Sequence, residues 1–247
     1  MAGSGKFTLK IRDYLHAPER KRAYNEQHFS EAASRYDFAT RAMSLGRDRA
    51  WKHQLVAALP DFPAPVCVDL ACGTGDIAFL LAEKYADGRV LGIDLTEPML
   101  ALARQRNRTP RVEFVRGDMA ETGLADASID IVTGSYAVRN AASLQPAFAE
   151  IRRILRPGGF VALLDFSKPS SRWFQNLQYL VLKYWCGLWG LLLHGNPEVH
   201  AYIAASLRAF PDREELRRLV GENGFAVIHS RSFYFGVLEL LILQKPL

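Results

Sequence analysis

The sequence predicts an α/β fold, a doubly wound and mostly parallel seven-stranded sheet, and three observations carry that expectation. Short apolar runs alternate with helical patterns of roughly ten residues, the rhythm of βαβ crossovers. A glycine-containing turn, with Gly73 and Gly75, follows the first of these runs. The chain has 247 residues, of which 49% are hydrophobic and 23% charged. That is enough to bury one large core, and it is unlike a disordered or fibrous composition.

The elements are expected in the following order. Before residue 64 the pattern is helical, with Tyr24, His28, Ala32 and Tyr36 leading into the run from Phe38 to Leu59, and Pro60 to Pro65 break it. Pro65–Ala71 then reads as a strand, Asp76–Tyr85 as a helix, Arg89–Leu95 as a strand and Glu97–Asn107 as a helix. Strands follow at Arg111–Asp118 and Ala127–Val138, then a helix at Leu144–Leu155 closed by Pro157-Gly158-Gly159, and a strand at Phe160–Ser167. From Lys168 to Pro211 the rhythm gives way to a long apolar helical insertion. It resumes with a helix over Asp212–Phe225, for which Gly224 is the expected C-terminal cap. Two final runs, Ala226–Phe235 and Val237–Pro246, suit an antiparallel edge pair.

Charge and cysteine content narrow the partners. The net charge is +5, and eleven Lys or Arg against six Asp or Glu up to Lys52 account for all of it. Such a segment attracts phosphate-rich surfaces or simply forms a solvated helical face. No basic stripe interleaved with aromatics follows, so nucleic acid is not an expected partner. Three cysteines with no C-x-x-C pair fit neither a disulfide framework nor a zinc ribbon, and they point to a reducing compartment such as the cytoplasm. The first residues, MAGSGKFTLKIRDYLH, hold no apolar run of the kind a secretory signal has, so no export signal is expected. The most apolar stretch, Leu177 to Leu193, contains Gln178, Lys183 and two glycines and falls short of the roughly 20 apolar residues of a membrane span. Its aromatics suit a lipophilic pocket, a membrane surface or plain core packing.

The turn Asp69-Leu-Ala-Cys-Gly73-Thr74-Gly75-Asp76 lets backbone approach a ligand and opens onto a helix N-terminus. On its own it also satisfies a dinucleotide fingerprint, with Asp94 placed for ribose hydroxyls. Three features favour S-adenosylmethionine over NAD. Asp69, four residues before the first glycine, can accept from an ammonium group, which NAD lacks. Asp118 and Met119 end a strand as a polar and an apolar residue that can hold an adenine ring. Asp76 adds a carboxylate that a sulfonium tolerates and a pyrophosphate does not.

With these residues in view, the sequence resembles the class I S-adenosylmethionine-dependent methyltransferases, and more narrowly the ubiquinone/menaquinone biosynthesis C-methyltransferases. The likeness runs from about Phe29 to Lys245 and is carried by Tyr36–Lys52 (YDFATRAMSLGRDRAWK), Asp69–Asp76 (DLACGTGD), Ser135–Asn140 (SYAVRN), Leu155–Pro169 (LRPGGFVALLDFSKP) and Ser206–Asp212 (SLRAFPD). It implies a Rossmann-like methyltransferase domain over residues 64–247, with a helical lid insertion at 170–210 and an N-terminal helical segment, 1–63, covering the active site. It implies a cofactor site of Asp69, Gly73, Thr74, Gly75, Asp94, Asp118, Met119 and Ser135. Thr74 lies at the glycine turn, Asp94 on the ribose, Asp118 and Met119 about the adenine and Ser135 beside the sulfonium.

For the chemistry, Arg139 is the first candidate. A guanidinium is always charged and suits a phenolate or an oriented water better than proton abstraction, and a loop-pinning salt bridge is its structural alternative. His200 is the candidate direct base, or else a packed histidine. Asn140 is read as a partner of Arg139 or as the cap of the next helix. No metal is expected. The departures from the family pattern, at Thr40, Asp48, His200, Ala205, Phe235 and Leu241, fall mostly away from the donor motifs. These departures suggest a changed acceptor, whereas the resemblance itself implies a lipophilic aromatic or quinol-type molecule methylated at carbon, which is the leading expectation. The alternatives are a diverged N-, O- or C-methyltransferase of natural-product metabolism or a cofactor-binding cyclase on the same fold. Peripheral membrane contact and a homodimer stand as open partners.

Overall fold

The computed structural model describes residues 18–169 and 171–247; part of the basic N-terminal segment lies outside them. Three helices come first, α1 (Pro18–Ala32), α2 (Tyr36–Met43) and α3 (Asp48–Ala57). The single helical run expected from Phe38 to Leu59 is broken between α2 and α3, where Leu45 and Gly46 adopt left-handed φ of 53° and 77°. Alternation then begins with β1 (Val66–Leu70), α4 (Asp76–Lys84), β2 (Arg89–Asp94), α5 (Glu97–Arg106), β3 (Val112–Arg116) and β4 (Ile129–Ser135). It continues with α6 (Leu144–Ile154), β5 (Leu155–Phe166), the insertion helices α7 (Arg172–His194) and α8 (Glu198–Ala209), then α9 (Arg213–Glu222), β6 (Ala226–Phe233) and β7 (Leu238–Gln244).

The seven strands form one sheet in the order β3-β2-β1-β4-β5-β7-β6. The first five pair in parallel, and β7 runs antiparallel to both β5 and β6. The expected antiparallel pair is present, but only β6 is an edge. β7 is buried along nearly its whole length between two partners, while β6 is mostly exposed. β5 also begins earlier than expected, at Leu155, and Gly159 lies where a β-carbon would sit 2.9 Å from the Asp130 carbonyl. The Pro-Gly-Gly segment is therefore a bulge inside the strand, matched by a register shift between Ile129 and Ile131.

Each face of the sheet carries a core. One joins Leu55 of α3, Leu81 of α4 and Leu100 of α5 to Cys67, Ile131 and Leu164. The other joins Phe148 and Ile151 of α6, Leu207 of α8 and Val220 of α9 to Val68, Val132 and Leu243. A fully buried leucine or phenylalanine contributes about 1.5–3 kcal/mol, so both layers anchor the strand ends. Asp212 caps α9 by accepting from Glu214 and Glu215 N–H at 3.0 Å, and Gly224 follows the helix at φ 73°. β1 and β4 are neighbours whose following connections leave toward opposite sides, and this switch point opens a crevice at their carboxyl ends.

Candidate active site

The crevice is built on the turn after β1. Gly73 is left-handed at φ 53°, and a β-carbon there would meet nothing within 4 Å, so the turn presents bare backbone to open space. Gly75, at φ 89°, caps α4 and faces inward: a β-carbon would lie 2.8 Å from Phe114 and 2.9 Å from Phe79. Asp94, at the end of β2, secures the turn. Its Oδ2 accepts Gly73 N–H and its Oδ1 accepts Thr96 N–H, both at 2.8 Å. Burial raises the carboxyl above its ordinary value, and the Thr96 and Gly73 donors offset part of that rise.

A cleft of about 710 Å³ opens over this turn and brings together Gly73, Asp94, Asp118, Met119 and Ser135 with Arg22 and Asn25 of α1. Asp118 pairs with Arg22 at 3.1 Å and accepts Ala120 N–H at 2.9 Å. The buried Ser135 hydroxyl has no hydrogen-bond partner among the described residues. A recess of about 340 Å³ continues beneath the turn to Asp69 and Thr74. Burial pushes Asp69 up to about 7 even though Thr133 donates to it at 2.8 Å and Lys52 is near. Thr74 gives its hydroxyl to Asp37 at 2.7 Å. Gly75 lines neither space and serves the turn through its backbone.

Asp76 is engaged differently from the sequence reading. Instead of standing free for a cationic ligand, it is paired with Lys52 at 2.9 Å and Arg106 at 2.6 Å. Although burial opposes its charge, these cations hold its carboxyl below the ordinary value. Lys52 also pairs with Asp48 at 2.7 Å, and Asp48 accepts the Tyr136 hydroxyl at 2.8 Å.

A larger cavity, about 1030 Å³, adjoins the cleft. Its walls are apolar, with Met43, Trp51, Phe166, Leu182 and Trp185, and its polar lining includes His28, Arg139, Asn140, His200 and Tyr202. Arg139 is buried; its backbone N–H donates to Asp165 Oδ2 at 3.0 Å and its Nε lies 3.4 Å from Oδ1. The guanidinium also bonds Ser206 and lies 5.3 Å from the Phe166 ring. Burial raises Asp165 above its ordinary value, against the pull of Arg139. His200 packs 5.1 Å from His194, and burial, with that neighbour, lowers it to about 4. Its Nε2 has no hydrogen-bond partner among the described residues. Asn140 neither caps α6, whose N-cap is Ser143, nor bonds Arg139; its Nδ2 donates to the Tyr136 carbonyl at 2.8 Å.

Apart from Trp185, one of the insertion aromatics expected to suit a lipophilic pocket, sequence reasoning missed the residues that tie the helices over these spaces. The Tyr202 hydroxyl lies 2.7 Å from Asn25 Oδ1 and 2.9 Å from Asn140 Oδ1. Lys21 donates to the carbonyls of Arg139 and Ala141 at 3.0 and 2.6 Å. Trp185 Nε1 donates to the Met43 carbonyl at 3.0 Å, joining α7 to α2. On its other side α7 leaves a row of apolar side chains in the open, with Trp173 68%, Tyr184 69% and Leu192 63% exposed and Leu177, Leu180, Leu188 and Leu191 beside them. Among the described residues, no helix is long and apolar enough to cross a membrane.

The residues present suit S-adenosylmethionine: open space over the Gly73 backbone, an orphan Ser135 hydroxyl, and two buried carboxylates at the cleft and its recess. Sheet order and site together define the class, a Rossmann-like S-adenosylmethionine-dependent methyltransferase. The model of the ubiE/COQ5 methyltransferase family matches residues 18–245. A demethylmenaquinone methyltransferase of Thermus thermophilus is 34% identical over 221 residues, covering 88% of this chain and 100% of that one. A ubiquinone/menaquinone biosynthesis C-methyltransferase of Rubrivivax gelatinosus is 36% identical over 211 residues, covering 85% and 82%. The crystal structure of a putative methyltransferase from Bacillus halodurans superposes with a TM-score of 0.62 at 21% identity, covering 82% of this chain and 100% of that one. The chain belongs to the ubiE/COQ5 methyltransferase family.

Proposed function

We propose that the protein methylates a ring carbon of a lipophilic, quinol-type aromatic, as the names of its demethylmenaquinone relatives suggest. The observation that carries this reading is the junction of two spaces: a polar cleft over the glycine turn, and a larger apolar cavity with a buried arginine in its wall. Bound S-adenosylmethionine supplies an electrophilic methyl group on a positively charged sulfur.

In this reading Asp69 takes the ammonium, Asp94 the ribose, Asp118 and Met119 the adenine, and Gly73, Thr74, Gly75 and Ser135 shape the turn and the reacting end. A quinol ring carbon becomes nucleophilic when a neighbouring hydroxyl gives up its proton to solvent before the acceptor is enclosed, and Arg139 stabilises the oxyanion so formed. The carbon–methyl bond then forms as the methyl–sulfur bond breaks, and the ring carbon loses its hydrogen as a proton to solvent as the product leaves. His200, neutral at physiological pH with its value near 4, accepts a hydrogen bond from an acceptor hydroxyl and is too weak a base to do more. The helices before β1 and the insertion α7–α8 exclude water. The exposed face of α7 rests on the membrane surface that holds the acceptor, so the ring enters along a helix whose inner side, with Leu182 and Trp185, already lines the cavity.

The test is methyl uptake from isotopically labelled S-adenosylmethionine into short-chain demethylmenaquinol in micelles. The expected result is a carbon-methylated product formed in step with S-adenosylhomocysteine. Binding of S-adenosylhomocysteine without methylation of any prenylated quinol would overturn the assignment of the acceptor. Thr40 and His200, two departures from the family pattern, line the cavity, so a different lipophilic aromatic taken up in the same assay would favour the natural-product reading.

A further inference from the structure

Two residues among those described, Tyr36 and Tyr136, line the donor cleft, the recess beneath the glycine turn and the apolar cavity alike. Tyr136 is held there in an unusual way. Its backbone is left-handed at φ 57°, a conformation that a bulky residue keeps only where its surroundings over-determine it. Three contacts do so. Its N–H donates to the Leu164 carbonyl at 2.6 Å, its carbonyl accepts Asn140 Nδ2 at 2.8 Å, and its hydroxyl donates to Asp48 at 2.8 Å. The first two fix the backbone and the third fixes the ring, which lies 5.8 Å from Phe166.

Asp48 is itself immobilised. It is buried in α3 and its second oxygen pairs with Lys52, which reaches on to Asp76 at the start of α4. The ring at the boundary between donor and acceptor spaces is thus clamped from the helix layer, through a hydrogen bond to a carboxylate that cannot turn away.

We propose that Tyr136, held by Asp48, is a positioning residue for the methyl acceptor: its ring forms the partition against which the acceptor ring is stacked and set at its depth relative to the donor cleft. The inference rests on the quinol-type acceptor proposed above. Neither residue exchanges a proton with the acceptor; the pair acts by geometry, and displacement of a bound ring by about 1 Å costs on the order of 100-fold in rate.

The experiment compares the wild type with Tyr136→Phe, Asp48→Asn, Asp48→Ala and the double variant Tyr136→Phe/Asp48→Ala. Four quantities are read: S-adenosylhomocysteine affinity by calorimetry, quinone binding by quenching of Trp51 and Trp185, kcat with short-chain demethylmenaquinol, and Tm. Tyr136→Phe should lower kcat about 10- to 100-fold, with both ligand affinities within about threefold of wild type on the same geometric grounds. Asp48→Ala should lose about as much, and Asp48→Asn, which keeps an acceptor oxygen for the Tyr136 hydroxyl, should retain most of the wild-type rate. The double variant should be no slower than Asp48→Ala, as expected for two residues acting as one unit.

Wild-type kcat in Tyr136→Phe would overturn the proposal. So would multiplicative losses in the double variant, or parallel loss of both affinities and of Tm, which marks a merely structural role. A wild type that binds S-adenosylhomocysteine yet methylates no quinol would remove the acceptor reading, and the proposal with it.

Discussion

Asp94 holds Gly73. The carboxylate at the end of β2 accepts the glycine's N–H at 2.8 Å and, with its other oxygen, the Thr96 N–H at the start of α5. One side chain thus fixes the turn that shapes the cleft while facing the cleft itself. Asp94→Ala leaves the buried Thr96 N–H without an acceptor, at about 1–3 kcal/mol, and frees the half-buried Gly73 N–H at a smaller cost. It should lower Tm by roughly 4 °C or more and weaken S-adenosylhomocysteine binding roughly 10- to 100-fold, the worth of a hydrogen bond to a charged group. Asp94→Asn, with one oxygen left, should fall between. Calorimetry and thermal melts check both, and unchanged affinity in Asp94→Ala would remove Asp94 from the ligand site.

Asp69 gives a pH dependence. Burial pushes its carboxyl up to about 7 in the folded, ligand-free protein, against about 3.9 in an unfolded chain. The folded state therefore keeps a proton that the unfolded state releases, and Asp69's contribution to stability declines as pH rises from about 4 to 7. An ammonium group in the recess needs the carboxylate. Binding of S-adenosylhomocysteine at pH 6 should then release about one proton, and affinity should climb roughly tenfold per pH unit until about pH 7. Calorimetry in buffers of differing ionisation enthalpy measures the proton count. Asp69→Asn should bind weakly with no such slope, and a pH-independent affinity in the wild type would show that Asp69 does not meet the ammonium.

Arg139 and Asp165 form a buried pair, and removing one partner of such a pair costs about 3–5 kcal/mol. Arg139→Met should lose stability to that extent, so its activity is uninformative. Arg139→Lys keeps the charge and loses the planar fork that spans Asp165 and Ser206. It should fold, bind S-adenosylhomocysteine within about threefold of wild type, and turn over roughly 100-fold more slowly, the order expected when an oxyanion donor is misplaced. Equal turnover by the lysine variant would reduce Arg139 to a loop anchor.

The alternation of strands and helices was legible because each strand buries an apolar run and each helix an apolar stripe. The gathering of Gly73, Asp94 and Ser135 in one cleft was legible because they sit at strand ends, where chain order alone brings them together. The interior place of β7 was missed although its signal was present: Leu238–Gln244 is apolar on both faces and Ala226–Phe233 is not, the difference between a central strand and an edge. The clamp of Asn25, Asn140 and Tyr202 had no such signal. Its partners are separated by 115 and 177 residues, and polar contacts over that distance leave no periodicity behind. The same holds for Tyr136 and Asp48, 88 residues apart.

The outer face of α7 makes the last prediction. Leu177, Leu180, Tyr184, Leu188 and Leu191 recur at helical spacing and are exposed, while Leu182 and Trp185 on the other side line the cavity. A contiguous apolar face of that kind marks an interaction surface, and on the quinol reading proposed above a helix with its other side on the apolar cavity is well placed against a bilayer that would hold such an acceptor. The protein should float with vesicles of phosphatidylglycerol and phosphatidylcholine. Leu180→Asp with Leu188→Asp should weaken that binding roughly 10- to 100-fold, because each leucine is 47% exposed and full burial of a leucine contributes about 1.5–3 kcal/mol. Neither residue lines the cleft or the cavity, so S-adenosylhomocysteine affinity and turnover of a short-chain acceptor in micelles should be unchanged. Turnover of a long-chain acceptor presented in vesicles should fall with the binding. If the wild type instead elutes as a dimer that the two substitutions convert to monomer, with no vesicle binding in either form, the face is an interface between two copies of the chain.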